Sequence, residues 1–332
     1  MNFLKGKTFE HIYKTIAFVL AGLVLLGLFS FFTYPRSNRD IRKYEDGGIL
    51  AEPENTLDYV FVGSSSVSEN FAPLEVWNEE GYAGFALGES RSTVVGDYFE
   101  IVKLLKNQSP SLIVLEGSTL LGETKNITIF NTIDSVARET LPLLRYHNNW
   151  KNLTAENLFK KMAVDFKSVN KGYKPYPQVK PVENAEIYMS KNDKADKVHF
   201  DMEFYFNKIL TYCNKRNIKL VIAVSPSPAC WSQKRQDIVK AFAEKYNIDF
   251  IDFNDYCDDF GIDWSTDSKD AGWHFNCVGS KKYSKYFAQW LKNNYSDILV
   301  DHRGDEKYSD WNECYKQSMQ EIQDLIEKEK NK

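Results

Sequence analysis

Five short apolar runs, none with the polar alternation of a half-exposed strand, constrain the fold of this chain more than any other feature. They are DYVFVG at 58–63, AGFALG at 83–88, SLIVLE at 111–116, KLVIAVS at 219–225 and DFIDF at 249–253. Continuous Val, Ile and Leu belong to strands covered on both faces, and so to a parallel sheet. Between them, residues 94–106 and 201–216 place apolar side chains at three- and four-residue intervals, as helices laid on that sheet do. Alternating β and α units predict an α/β three-layer sandwich with a mainly parallel sheet of about five strands. The interval 120–200 has no clear strand, and its KGYKPYPQVKPVENAE stretch at 171–186 reads as an exposed loop that covers a site or meets a partner.

Residues 15–34, TIAFVLAGLVLLGLFSFFTY, carry no charge and suffice as a helix to cross a hydrocarbon core of about 30 Å. The exit, FFTYPRSNR, is not the small-residue exit of a cleaved signal, so the expectation is an uncleaved single-pass anchor. Lys5, Lys7 and Lys14 precede it and Arg36, Arg39, Arg42 and Lys43 follow, so charge does not set the orientation. At the other end, Tyr308, Trp311, Tyr315, Met319, Ile322 and Ile326 recur at helical spacing, which predicts an amphipathic helix packed on its own domain.

A net charge of −4 with no basic stripe argues against nucleic acid as partner. Five cysteines without a CxxC pair make neither a zinc site nor a disulfide framework, and no metal or cofactor is expected. The GSSSV turn lacks the spaced glycines and the Gly-Lys-Ser/Thr ending of nucleotide loops.

The chemistry lies in two stretches more than 200 residues apart, DYVFVGSSSV at 58–67 and DSKDAGWHFNCVG at 267–279. The first runs a strand into a serine turn, where open α/β sheets place their sites. The second holds His274, preceded by carboxylates, ahead of a helix. A serine nucleophile needs an imidazole to take its proton, and the imidazole needs a carboxylate to hold its tautomer. Ser64 and Ser66 rival Ser65 for the hydroxyl, and serines also suit a tight turn. His11, His199 and His302 have sufficient surface or capping roles.

Gly63-Ser64-Ser65, the later Asp270 and His274, and the ordered segments NFAPLEVWNEEGYAGFALGES, PSLIVLE, RYHNNW, KLVIAVSPSPACW and NIDFIDFND together resemble the SGNH/GDSL superfamily of serine esterases and acyltransferases. Within it the chain is similar to membrane-anchored bacterial envelope proteins related to the teichoic acid D-alanyl transfer protein and the alginate acetylation proteins. The resemblance spans residues 55–292 and implies an SGNH/flavodoxin-like fold. It casts Ser65 as nucleophile, His274 as base and Asp270 as its partner. The backbone N–H groups of Ser65 and Gly88 become oxyanion donors, although a glycine after a short strand is also an ordinary turn. Ser66 then lines the pocket, and His147 in RYHNNW either packs or reaches it.

Two departures stand out. The superfamily sets its last carboxylate three residues before the histidine, where this chain has Ala271, so Asp270 (four before) and Asp267 (seven before) both compete. Its third-block asparagine has no counterpart, since Glu116 and Gly117 end that strand.

The organisation implied is a cytoplasmic N-terminus at 1–14, an anchor at 15–34, a linker at 35–56, an α/β domain at 57–300 with an insertion around 120–200, and a terminal helix at 301–332. The resemblance implies an extracytoplasmic esterase or O-acyltransferase handling acetyl or a similar small group. Its partners would be an envelope polysaccharide or teichoic acid and a membrane-bound O-acyltransferase. The alternative is a non-catalytic accessory protein that keeps the scaffold to bind a glycan.

Overall fold

A computed structural model describes residues 2–33, 48–121, 125–152, 168–190 and 197–331. They form two compact units, Met1–Tyr44 with Asp134–Asp165, and Glu45–Ile133 with Phe166–Lys332.

In the first unit, helix α1 runs from Asn2 to Thr33. Its Glu10–Thr33 stretch contains an 18-residue window of mean hydropathy 2.5 and is long and apolar enough to cross a membrane. Phe18, Leu23 and Leu25 on it are exposed. Residues 2–9 continue the same helix, since Leu and Lys are good helix formers and no proline interrupts it before Thr33. The Asn149 amide donates to the Thr33 carbonyl at 3.1 Å, tying the helix end to the turn at His147–Asn152.

The second unit carries five parallel strands: β1 (Tyr59–Gly63), β2 (Gly84–Gly88), β3 (Leu112–Glu116), β4 (Lys219–Val224) and β5 (Asp249–Asp252). Their order is β2-β1-β3-β4-β5. The first three are buried along their whole length, as runs apolar on both faces require. After β1 the chain turns to one side to make β2, then crosses to the other side for β3. That reversal opens a crevice at the carboxyl end of β1.

Helices cover both faces. On one lie α2 (Ser65–Asn70), α3 (Pro73–Glu80) and the long α9 (Cys277–Tyr295); on the other lie α4 (Val94–Leu104), α7 (Phe200–Asn214) and α8 (Gln233–Lys245). The chain also forms α5 (Lys125–Thr140) and α6 (Pro142–Tyr146), and ends in α10 (Ser309–Lys330). Among the described residues of 120–200 there is no strand.

An aromatic cluster locks α9 to the sheet. Phe287 stacks on Phe61 at 5.5 Å and meets Phe71 of the α2–α3 junction at 4.7 Å and Phe253 at 5.4 Å. Truncating such a ring to alanine costs about 3–5 kcal/mol. Since α9 begins three residues after His274, this packing also fixes the segment before it.

The start of α10 packs on the domain, with Trp77 against Trp311 at 5.1 Å and the Trp77 indole donating to Asn312 at 3.0 Å. Its later stripe residues, Tyr315, Met319, Ile322 and Ile326, instead border a cavity of about 360 Å³ together with Glu75.

The expected exposed loop at 171–186 is corrected at its start, where Lys171, Gly172 and Tyr173 are buried. The Lys171 carbonyl accepts the Ala86 N–H at 2.9 Å and so covers the edge of β2. Its ammonium is fully buried against Glu52 at 2.8 Å and lies 4.2 Å from the Trp311 ring centre. A lysine in a polar stretch reads as exposed until a distant carboxylate is there to receive it.

Candidate active site

Ser65 is the first residue of α2, immediately beyond β1 and Ser64. Two features shape this turn. A Cβ on Gly63 would fall 2.4 Å from Glu116 Cβ, so only glycine lets β1 end this close to β3. Ser64 is the helix cap, its Oγ accepting the Ser66 N–H at 3.3 Å, which gives the first serine a structural task and leaves Ser65 on the first turn. Gly88 is the register partner of Gly63. A Cβ there would meet the Ser64 carbonyl and the Ser68 nitrogen, each at 2.5 Å, so the Gly88 backbone lies directly against the serine turn.

The segment 267–276 supplies the imidazole. His274 Nε2 stands 2.9 Å from Ser65 Oγ, and Nδ1 stands 2.7 Å from Asp270 Oδ2. The other oxygen of Asp270 accepts the His274 backbone N–H at 2.7 Å, so this carboxylate holds both ring and backbone. Burial raises the Asp270 carboxyl, but the hydrogen bonds from His274 and the charges of His274 and Lys269 outweigh it and hold it below the usual carboxylate range.

The spacing of four is possible because Ala271 (φ 61°) and Gly272 (φ 97°) are both left-handed and fold the aspartate back on the ring. Ser268 Oγ steadies this bend by accepting the Gly272 N–H at 2.8 Å. Asn70 Oδ1 on α2 accepts the Phe275 N–H at 2.9 Å, and Ser227 Oγ donates to the Gly272 and Trp273 carbonyls at 3.0 and 3.1 Å.

Asp267 stands elsewhere. It is buried, pairs with Lys282 at 2.7 Å and accepts the Asp263 N–H at 2.8 Å, which bends its own loop. His147 lies in the first unit, where its Nδ1 is 2.9 Å from the Leu144 carbonyl. Ser66 is half-buried on the first turn of α2.

Glu116, at the strand end without the expected asparagine, turns its carboxyl to the Ser225 N–H at 3.3 Å and the Ser118 N–H at 3.5 Å. Complete burial pushes it up to about 8.

Two neighbours escaped the sequence reading. Glu69 Oε2 is 3.5 Å from His274 Nδ1, and Lys269 pairs with that same oxygen while its ammonium lies 3.5 Å from the centre of the Tyr176 ring. The available signal was the spacing of four between Ser65 and Glu69, which puts both on one face of a helix. Glu69, Asp270 and His274 each bring a polar atom within 4.8 Å of the others; the positive charge such a cluster attracts is here the Lys269 ammonium.

No protein-family model matches the chain, and no curated protein matches it significantly in sequence. Solved structures similar to it include a candidate acylhydrolase of Bacteroides fragilis, 13% identical with a TM-score of 0.38, covering 78% of this chain and 99% of that one. A GDSL-like lipase of Bacteroides thetaiotaomicron is 14% identical with a TM-score of 0.36, covering 77% and 98%.

Proposed function

We propose that this protein is an SGNH-type serine esterase or O-acyltransferase. The observation that carries the reading is the chain Ser65 Oγ, His274 Nε2, His274 Nδ1, Asp270 Oδ2, with links of 2.9 and 2.7 Å. In it, His274 takes the Ser65 proton as the hydroxyl attacks an ester carbonyl, then returns a proton to the leaving alcohol. Asp270 keeps Nδ1 protonated, so that Nε2 faces the serine with its lone pair. The N–H groups of Ser65 and Gly88 bind the oxyanion; one such donor is worth about 3 kcal/mol, or roughly a hundredfold in rate. The acyl-serine passes to water or to a sugar hydroxyl.

By resemblance, the acyl group is acetyl or similarly small and the acceptor an envelope polysaccharide or teichoic acid, with a membrane-bound O-acyltransferase as partner. The apolar Glu10–Thr33 helix supports a single-pass anchor. By resemblance alone, the second unit lies outside the cytoplasmic membrane. Protease added to intact spheroplasts should then digest a C-terminal tag, and protection until lysis excludes an envelope substrate.

One observation favours a second reading, a glycan-holding protein without turnover: Trp273, next to His274, is 54% exposed, as a sugar-stacking platform is. Fluorophosphonate labelling of the full-length protein separates the two readings. A catalytic protein is labelled at Ser65 and loses the label in Ser65→Ala, whereas an unlabelled but glycan-retaining protein supports the alternative.

A further inference from the structure

Two carboxylates converge on one ring nitrogen. Asp270 approaches His274 Nδ1 to 2.7 Å and Glu69 to 3.5 Å. The second does not stand uncompensated, because Lys269 pairs with it, braced by the face of Tyr176. The side chains of Lys269, Glu69 and His274 are only 13%, 14% and 16% exposed, so water screens these charges weakly. Ser65 and Glu69 from α2 and Asp270 from its own loop reach the ring, and Lys269 joins them through Glu69. Tyr176 stands behind Lys269.

A base must be neutral before it can accept a proton, and each nearby carboxylate favours the charged imidazolium. One carboxylate fixes the tautomer. A second, unbalanced, would keep the ring protonated over a wider pH range and disable it as a base. We propose that Glu69 and Lys269 are positioning residues, a charge-balanced pair in which Lys269 cancels the field of Glu69 at the His274 ring, so that the ring stays available as a base while neither side chain touches the reacting atoms. The consequence for turnover rests on the reading of Ser65 and His274 as nucleophile and base, while the titration itself does not.

The test uses the full-length protein in lipid nanodiscs with ¹³C-labelled histidine, the His274 resonance being assigned by its loss in His274→Ala. Lys269→Met unmasks Glu69, so the midpoint should move up by about 1 pH unit. Glu69→Gln leaves an unbalanced ammonium, so it should move down by a similar amount. The double variant should return to within a few tenths of the wild type, and the acidic limb of aryl acetate hydrolysis should follow the same order.

Single variants shifting in the same direction, or by less than a few tenths, overturn the proposal, as does a double variant that fails to return. Should Lys269→Met not fold, Glu69→Gln alone decides, because it must shift downward. Failure of the catalytic reading looks different: hydrolysis is absent in wild type or retained in Ser65→Ala while the midpoints still move as described.

Discussion

The serine turn and the histidine loop meet at 2.9 Å but are built in opposite ways. The turn is local: a buried strand ends at a glycine, a serine caps the next helix, and the hydroxyl follows. The loop is held from a distance, by Asn70 on α2, Ser227 beyond β4 and Lys180, whose carbonyl accepts the Ala271 N–H at 3.3 Å. Its two left-handed residues make it costlier to form and more dependent on those ties. A serine at a strand end can thus be written in ten consecutive residues, whereas the imidazole that meets it is oriented by residues from all over the domain.

The largest effects are expected at Ser65 and His274, the proposed nucleophile and base. Ser65→Ala and His274→Ala should each lower aryl ester hydrolysis by about a thousandfold or more, and the double variant should lose little beyond either alone, because they act as a unit. Additive losses in the double variant sink the pairing.

Next come the two aspartates of the loop. Asp270→Asn should cost about 10³–10⁴ in turnover, since the ring loses its tautomer. Asp267→Asn should leave turnover near wild type and instead destabilise the fold by about 1–3 kcal/mol, because buried Asp267 loses its charged partner, the half-exposed Lys282. Chemical denaturation beside steady-state kinetics checks both, and the reverse pattern makes Asp267 the partner.

On the turn side, Gly63→Ala should cost about 1–3 kcal/mol, because the added carbon strikes Glu116 Cβ. An unchanged melting curve shows that the strand end yields more easily than its packing implies.

Glu116 beneath the turn adds a pH dependence. Its folded-state value, about 8, lies above the ordinary 4.5 because burial favours the protonated form. The unfolded chain therefore releases this proton first as pH rises. The stability Glu116 contributes is complete below about pH 4.5 and declines up to about pH 8. Glu116→Gln should flatten that decline; a wild-type slope in the variant assigns it to Asp97 or Asp252, whose burial raises them to about 7 and about 6.

The smallest effect belongs to Ala271. At φ 61° a Cβ is strained, so Ala271→Gly should be neutral or stabilising by less than about 1 kcal/mol with turnover retained, and Ala271→Val should destabilise. If valine is tolerated, the bend is looser than its ties indicate.

Much of this molecule could be read along the chain. Apolar runs with no alternation dictated a parallel sheet, because only strands covered on both faces tolerate such sequences. The apolar N-terminal stretch specified its own helix, since all of a helix's backbone bonds are made within it. The strand-to-serine turn was legible because a strand end, a glycine and a cap are neighbours in sequence. Tertiary structure alone decided which aspartate faces His274, since that depends on two left-handed residues and on distant tie points. It also decided that Lys171 is buried, because Glu52 lies 119 residues away. The placement of Glu69 and Lys269 on the same ring was likewise invisible: spacing aligns Glu69 with Ser65, but only the packing of α2 against the 267–276 loop brings the second carboxylate and its ammonium to the imidazole.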